Sequence, residues 1–217
     1  METLAKLDLI TIIIAALCLV SAACNILADW KGRRILVLAT KVAASTAFLA
    51  IGVLNFDASR FGSFMVAALA LSWTGDVLLV RHSKNFFLAG LAAFLLAHAA
   101  YATAFANLGI DRSAFVIALM IWLVVVIFLL RWLWKYLGGP YRPAVLVYMA
   151  AITVMISFAA ATGSLLIAVA AGMFALSDIA VARDRFVGHS ITNKVWGIPL
   201  YYLAQVLFTI SMIRPAS

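Results

Sequence analysis

Eight long apolar runs, separated by short segments that hold nearly all of the charge, account for the chain. Breaks in the pattern predict spans at about 8–28, 35–54, 61–80, 85–106, 113–132, 143–161, 164–182 and 195–213. Each is close to the roughly 20 residues that an α-helix needs to cross a bilayer. The shortest break, Thr162 to Ser164, carries no charge. Merging the runs on either side would give about 40 residues, far longer than a bilayer is thick, so a tight helical hairpin is expected there. The first run follows Lys6, but Glu2 and Asp8 dilute the positive flank, and no clear small-residue cleavage site follows. It therefore reads as a transmembrane helix rather than a signal peptide. The expected fold is all-α: a polytopic membrane helix bundle of about eight transmembrane helices, occupying residues 1–217 as a single integral membrane domain.

Composition supports this class. Of the 217 residues 67% are hydrophobic and 11% charged, with a mean hydropathy of +1.14. A soluble domain needs more charge on its outer face than that. The net charge of +8 does not indicate nucleic acid, because no basic patch forms; the Lys and Arg residues sit between the apolar runs. There they act as topology determinants and contacts with anionic headgroups of membrane lipids. Odd-numbered loops hold eleven basic residues: Lys31, Arg33, Arg34, Arg81, Lys84, Arg131, Lys135, Arg142, Arg183, Arg185 and Lys194. The opposite side holds four, Lys6, Arg60, Arg112 and Arg214. The positive-inside rule then places both termini on the non-cytoplasmic side. Short loops in a basic, Ala-rich chain suggest a bacterial inner (plasma) membrane. Cys18 and Cys24 show no metal-type spacing and read as packing residues.

Three charged residues remain inside the runs: Lys41, Asp76 and Asp178. Each costs several kcal/mol near the bilayer centre unless paired or wet, which makes it a functional candidate. The two aspartates lie about five residues before a cytoplasmic helix end, and Lys41 about six residues after one. At about 1.5 Å per residue all three fall at one level, roughly 8–10 Å below that face. Lys41 could form a structural ion pair or snorkel to headgroups. Two carboxyls near one cation could also split into an acid and a base. Tyr201, Tyr202 and Gln205 lie near this level; Tyr201 and Gln205 share a face, and Tyr202 points about 100° away. His98 and Tyr101, three apart and deeper, would line the floor of a cavity opened from the cytoplasm. Asn25, Ser45, Ser72, Thr74 and Ser177 can satisfy themselves on helix backbone. His98 is far along the chain from His82 and His189, so no metal or cofactor is expected. There is no Gly-x-Ser-x-Gly elbow and no phosphate-cradling glycine loop. What remains is acid–base chemistry by carboxyls, or proton-coupled movement.

Gly75-Asp76, the series Phe87, Gly90, Phe94, His98 and Tyr101, then Phe174 with Ser177-Asp178, and Pro199, Tyr201 and Gln205 together resemble the YhhN-like integral membrane family. That family includes the mammalian lysoplasmalogenases. Lys41 fits as well, although Val42 stands where a proline often follows it. The resemblance runs from about span two to span eight. It implies a lysophospholipid substrate, with hydrolysis of the vinyl ether bond of lysoplasmalogens, or of a related ether lysolipid, to a fatty aldehyde and a glycerophospho-amine. Such hydrolysis needs an acid to protonate the alkenyl carbon and a carboxylate to steady the resulting cation and activate water. Asp76 and Asp178 are the expected catalytic pair. Lys41, His98, Tyr101, Ser177, Tyr201 and Gln205 are expected to hold and orient substrate and water. The oligomeric state is not legible. The main rival is a proton-coupled transporter using the same aspartates, and a ligand-sensing or scaffold protein is a third reading.

Overall fold

The computed structural model describes residues 7–80, 83–139 and 141–213. Lys6, Arg81, His82 and Arg214 of the sequence reading lie outside the described residues, as does Glu2. Among the described residues eight α-helices follow one another: α1 (Leu9–Trp30), α2 (Arg34–Leu54), α3 (Arg60–Leu79), α4 (Lys84–Ala106), α5 (Arg112–Leu133), α6 (Tyr141–Ala161), α7 (Leu165–Ala182) and α8 (Ile191–Ile210). A 3₁₀ turn extends α5 through Tyr136, and a π-type turn extends α7 through Val187. All eight predicted runs are present.

Short polar side chains set most of the boundaries. Asp8, Ser59, Ser83, Asp111, Ser164 and Ser190 each sit at a helix N-cap and accept a hydrogen bond from a first-turn amide. The predicted hairpin at Thr162–Ser164 also forms. Gly163 takes φ +69°, a left-handed conformation that suits glycine at a helix end, and Ser164 caps α7 immediately afterwards. Helix α8 begins at Ile191, four residues earlier than the apolar pattern suggested, so Lys194 is a helical residue rather than a loop charge.

Seven of the helices close a ring in the order α1, α2, α3, α4, α6, α7, α8 and back to α1. Helix α8 leans inward and also touches α2 and α3, whereas α5 packs on α6 outside the ring. Burial runs opposite to apolarity, as expected where the solvent is lipid. The very apolar α5 buries only Leu133. Helix α8, with Tyr201, Tyr202, Gln205 and Thr209 all buried, has half of its 20 residues inside. Those polar groups explain why seven helices, α1 to α7, are long and apolar enough to cross a membrane, while α8 is long enough but too polar to qualify by composition. A helix enclosed by its neighbours does not need an apolar surface. Its 20 residues still span about 30 Å.

Close approach of α7 and α8 depends on Gly197. A methyl group built there would collide with the Cβ of Ala180, an atom that cannot swing aside. Gly197→Ala is therefore expected to lower stability by about 1–3 kcal/mol through overpacking. Thermal unfolding in detergent reads this directly, and the additional change Ala180→Gly should recover most of the loss.

Candidate functional site

Asp76 sits three residues from the end of α3, buried at 2% exposure. Its position is fixed from three helices. Lys41 of α2 places its Nζ 3.3 Å from Oδ1. Ser45, one helical turn further along α2, donates to Oδ2 at 2.5 Å, and Tyr201 of α8 donates to the same oxygen at 2.8 Å. An ammonium and two hydroxyls all aimed at one carboxyl give it the surroundings of an acceptor, the role of an ionised carboxylate. Tyr202 joins the cluster by lying 3.3 Å from the Ser45 hydroxyl and donating to the Lys41 carbonyl at 3.4 Å. The rotation of about 100° that separates it from Tyr201 turns it toward α2 instead of away from the site.

Asp178 of α7 has different neighbours. Tyr148 of α6 donates to its Oδ1 at 3.0 Å. Its Oδ2 lies 3.2 Å from Nε2 of His98 on α4. The other imidazole nitrogen, Nδ1, stands 2.7 Å from the Phe94 carbonyl oxygen. A carbonyl oxygen can only accept, so Nδ1 carries a hydrogen, and in the neutral ring Nε2 is then an acceptor. Among the described residues neither Nε2 nor Oδ2 has another hydrogen-bonding partner. The two atoms lie within hydrogen-bonding distance, so a proton carried by either one would point at the other. Lys41 and the two aspartates do not form one three-member cluster as the shared depth suggested. Each carboxyl has its own cationic or protonic partner.

The two carboxyls nonetheless face one cavity. It has a volume of about 500 Å³ and is lined by both aspartates, Lys41, Ser177, Tyr148, Tyr201 and Tyr202. This is within the range of sites for small organic ligands. Its inner end is aromatic: Phe94, Phe174 and Tyr201 meet edge to face with centroids 5.5–6.1 Å apart. Gly75, beside Asp76, makes room for this floor, because a Cβ there would lie 2.6 Å from the Phe94 ring. The outer end, formed where the odd-numbered loops gather, carries Asp29, Asp184, Arg185, His189, Asn193 and Lys194. Lys194 pairs with Asp29 at 2.8 Å, tying α8 to α1 at the rim.

His98, Tyr101 and Gln205 do not line this cavity. His98 lies behind Asp178, fully buried, with its ring tilted against Phe174 at a centroid distance of 4.5 Å. Tyr101 donates to Gln205 Oε1 at 2.6 Å beneath the aromatic floor, with its ring stacked at 4.3 Å on Phe208. The expected floor of His98 and Tyr101 is thus one layer too deep; bulky Phe94 and Phe174 occupy the position above them. Ser177 reaches the cavity wall, but its hydroxyl donates to the Phe174 carbonyl at 2.6 Å. Two partners were absent from the sequence reading. Ser45 was assigned to its own backbone, and Tyr148 was not singled out. Tyr148 lies seven residues into α6, the same depth from the odd-loop end as Lys41 in α2. The depth rule that selected the charges, extended to hydroxyls, would have found it.

The chain is 32% identical over 180 residues to proteins of Mycobacterium bovis and Mycobacterium tuberculosis, each named lysoplasmalogenase. The aligned region covers 77% of this chain and 67% of each relative. No solved structure is significantly similar to it. The model of the YhhN family matches residues 36–212, which span α2 to α8 and contain every residue of both carboxyl clusters, and the chain therefore belongs to that family.

Proposed function

We propose that this protein is a membrane hydrolase of the lysoplasmalogenase type, which cleaves the vinyl ether bond of a lysoplasmalogen or a related ether lysolipid. The observation that carries this reading is the pair of carboxyls on one cavity in unlike proton environments. Asp76 receives three donors, whereas Asp178 places Oδ2 3.2 Å from the His98 Nε2. Relatives named lysoplasmalogenase support the substrate class.

In this mechanism Asp178 delivers its proton to the alkenyl carbon two bonds from the ether oxygen. The other alkenyl carbon becomes an oxocarbenium ion, which the Asp76 carboxylate stabilises. Water adds to that carbon and loses a proton to Asp76. The hemiacetal collapses as Asp76 returns its proton to the departing glycerol oxygen and Asp178 takes the hemiacetal hydroxyl proton, so one water is consumed, a fatty aldehyde and a free glycerol hydroxyl are formed, and both carboxyls are restored. His98 acts behind Asp178 as a positioning residue, and Tyr148 fixes the other carboxyl oxygen. Lys41 holds Asp76 rather than a substrate phosphate. Tyr101 and Gln205 brace α4 against α8 below the floor. With the odd-numbered loops placed in the cytoplasm by the positive-inside rule, the phosphorylated head lies at the rim near Arg185 and Lys194.

The test compares two lipids with purified protein in detergent. An alkenyl lysolipid should release aldehyde. The saturated alkyl ether of the same length should compete for the site but remain intact, since it has no double bond to protonate. Absence of aldehyde from every alkenyl lysolipid tried would overturn the reading, and proton-driven uptake of a solute into vesicles would favour transport.

A further inference from the structure

A second hollow adjoins the first on its outer side. It measures about 70 Å³ and runs between α4, α5, α6 and α7. Its outer wall is Trp122, Val126, Leu129 and Leu133, which recur at helical spacing on one face of α5. Of these only Leu133 is buried; the other three are half-buried. The remaining walls are aliphatic or aromatic apart from Tyr148 and Asp178. Those two residues line the main cavity as well, as do Phe87, Leu91 and Phe186. The two spaces therefore share a wall that includes Asp178.

An apolar space of this kind is not wetted. It lies at the membrane-facing edge of the bundle, behind a helix that packs mainly on α6, so hydrocarbon is its natural content. We propose, on the reading that the protein cleaves a lysolipid, that the slot between α5 and α7 receives the substrate's alkenyl tail and presents its first carbons to Asp178. The polar head then stays in the charged main cavity, and the bond to be protonated lies where the polar and apolar spaces join. This explains why α5 is retained outside a ring that closes without it. It also makes the face from Trp122 to Leu133 a determinant of chain length.

Two measurements on Val126→Trp, which fills the slot from a helix that buries only Leu133, test the proposal. The first is the ratio of kcat/KM for hexadecenyl and butenyl substrates. Excluding about two methylenes from an apolar site costs about tenfold, so the ratio should fall at least that far. An unchanged ratio overturns the tail assignment. The second does not depend on turnover: a lysolipid bearing a diazirine at its tail end should label the α5 face. Unlabelled lysolipid should suppress that labelling, and Val126→Trp should remove it. Equal labelling by a diacyl lipid, without competition, would assign the slot to bulk membrane lipid and overturn the proposal. If wild-type protein releases no aldehyde, the hydrolase reading fails on its own, and the labelling result still decides what the slot holds.

Discussion

Asp178→Asn is expected to lower kcat for aldehyde release by about 10³-fold while changing KM and thermal stability little. Asparagine keeps the shape of the side chain and an oxygen that can accept from Tyr148. Its amide can also donate toward His98 Nε2, so the packing around α4, α6 and α7 has no reason to change. What disappears is the transferable proton. Protonation of carbon is slow without an acid held against it, which is why the effect should fall on kcat. A variant that melts like the wild type and retains more than about a tenth of the rate would remove Asp178 from the acid role. His98→Gln offers a graded companion. It leaves Asp178 in place but removes the imidazole 3.2 Å from its carboxyl, so the pH profile of kcat should move, an effect that a purely structural histidine would not produce.

Lys41→Met is expected to be the most destabilising single change at the site, costing about 3–5 kcal/mol. The ammonium lies 3.3 Å from a carboxyl that is almost wholly buried, and its removal leaves that carboxyl without a cation in a low-dielectric interior. Methionine retains most of the packing volume, so the loss reports charge rather than a cavity. The double variant Lys41→Met with Asp76→Asn should recover most of the stability, because no unpaired charge then remains. Melting curves of the two single variants and the double variant form a complete cycle. Additive losses would mean that the two side chains do not act as a pair.

The residues that determine the fold are easily read because the bilayer imposes one simple constraint on them. Apolar runs of about 20 residues had to become helices. The site was only partly legible. Depth along a helix follows from counting residues; it gives Lys41, Asp76 and Asp178 one level, and all three line one cavity. Rotation about the helix and the choice of partner depend on neighbours that no spacing reveals. Lys41 therefore could not be assigned to Asp76 beforehand, and His98 could not be assigned to Asp178. Tyr202 was read as pointing away because its neighbour Tyr201 faced inward. In α8 both directions are inward, since the helix is enclosed by α1, α2, α3 and α7. Tyr101 and Gln205 were placed too high for a related reason. The bulk of Phe94 and Phe174 sets the cavity floor, and bulk at a floor is a property of packing.

Hydrolysis of an alkenyl lysolipid in D₂O tests the central claim most directly. Protonation of carbon by a solvent-exchanged acid should place one deuterium on the carbon next to the aldehyde group, and both aldehyde and label should vanish in Asp178→Asn. Aldehyde formed without deuterium at that carbon, or formed equally well by Asp178→Asn, would contradict carboxyl acid catalysis at this site.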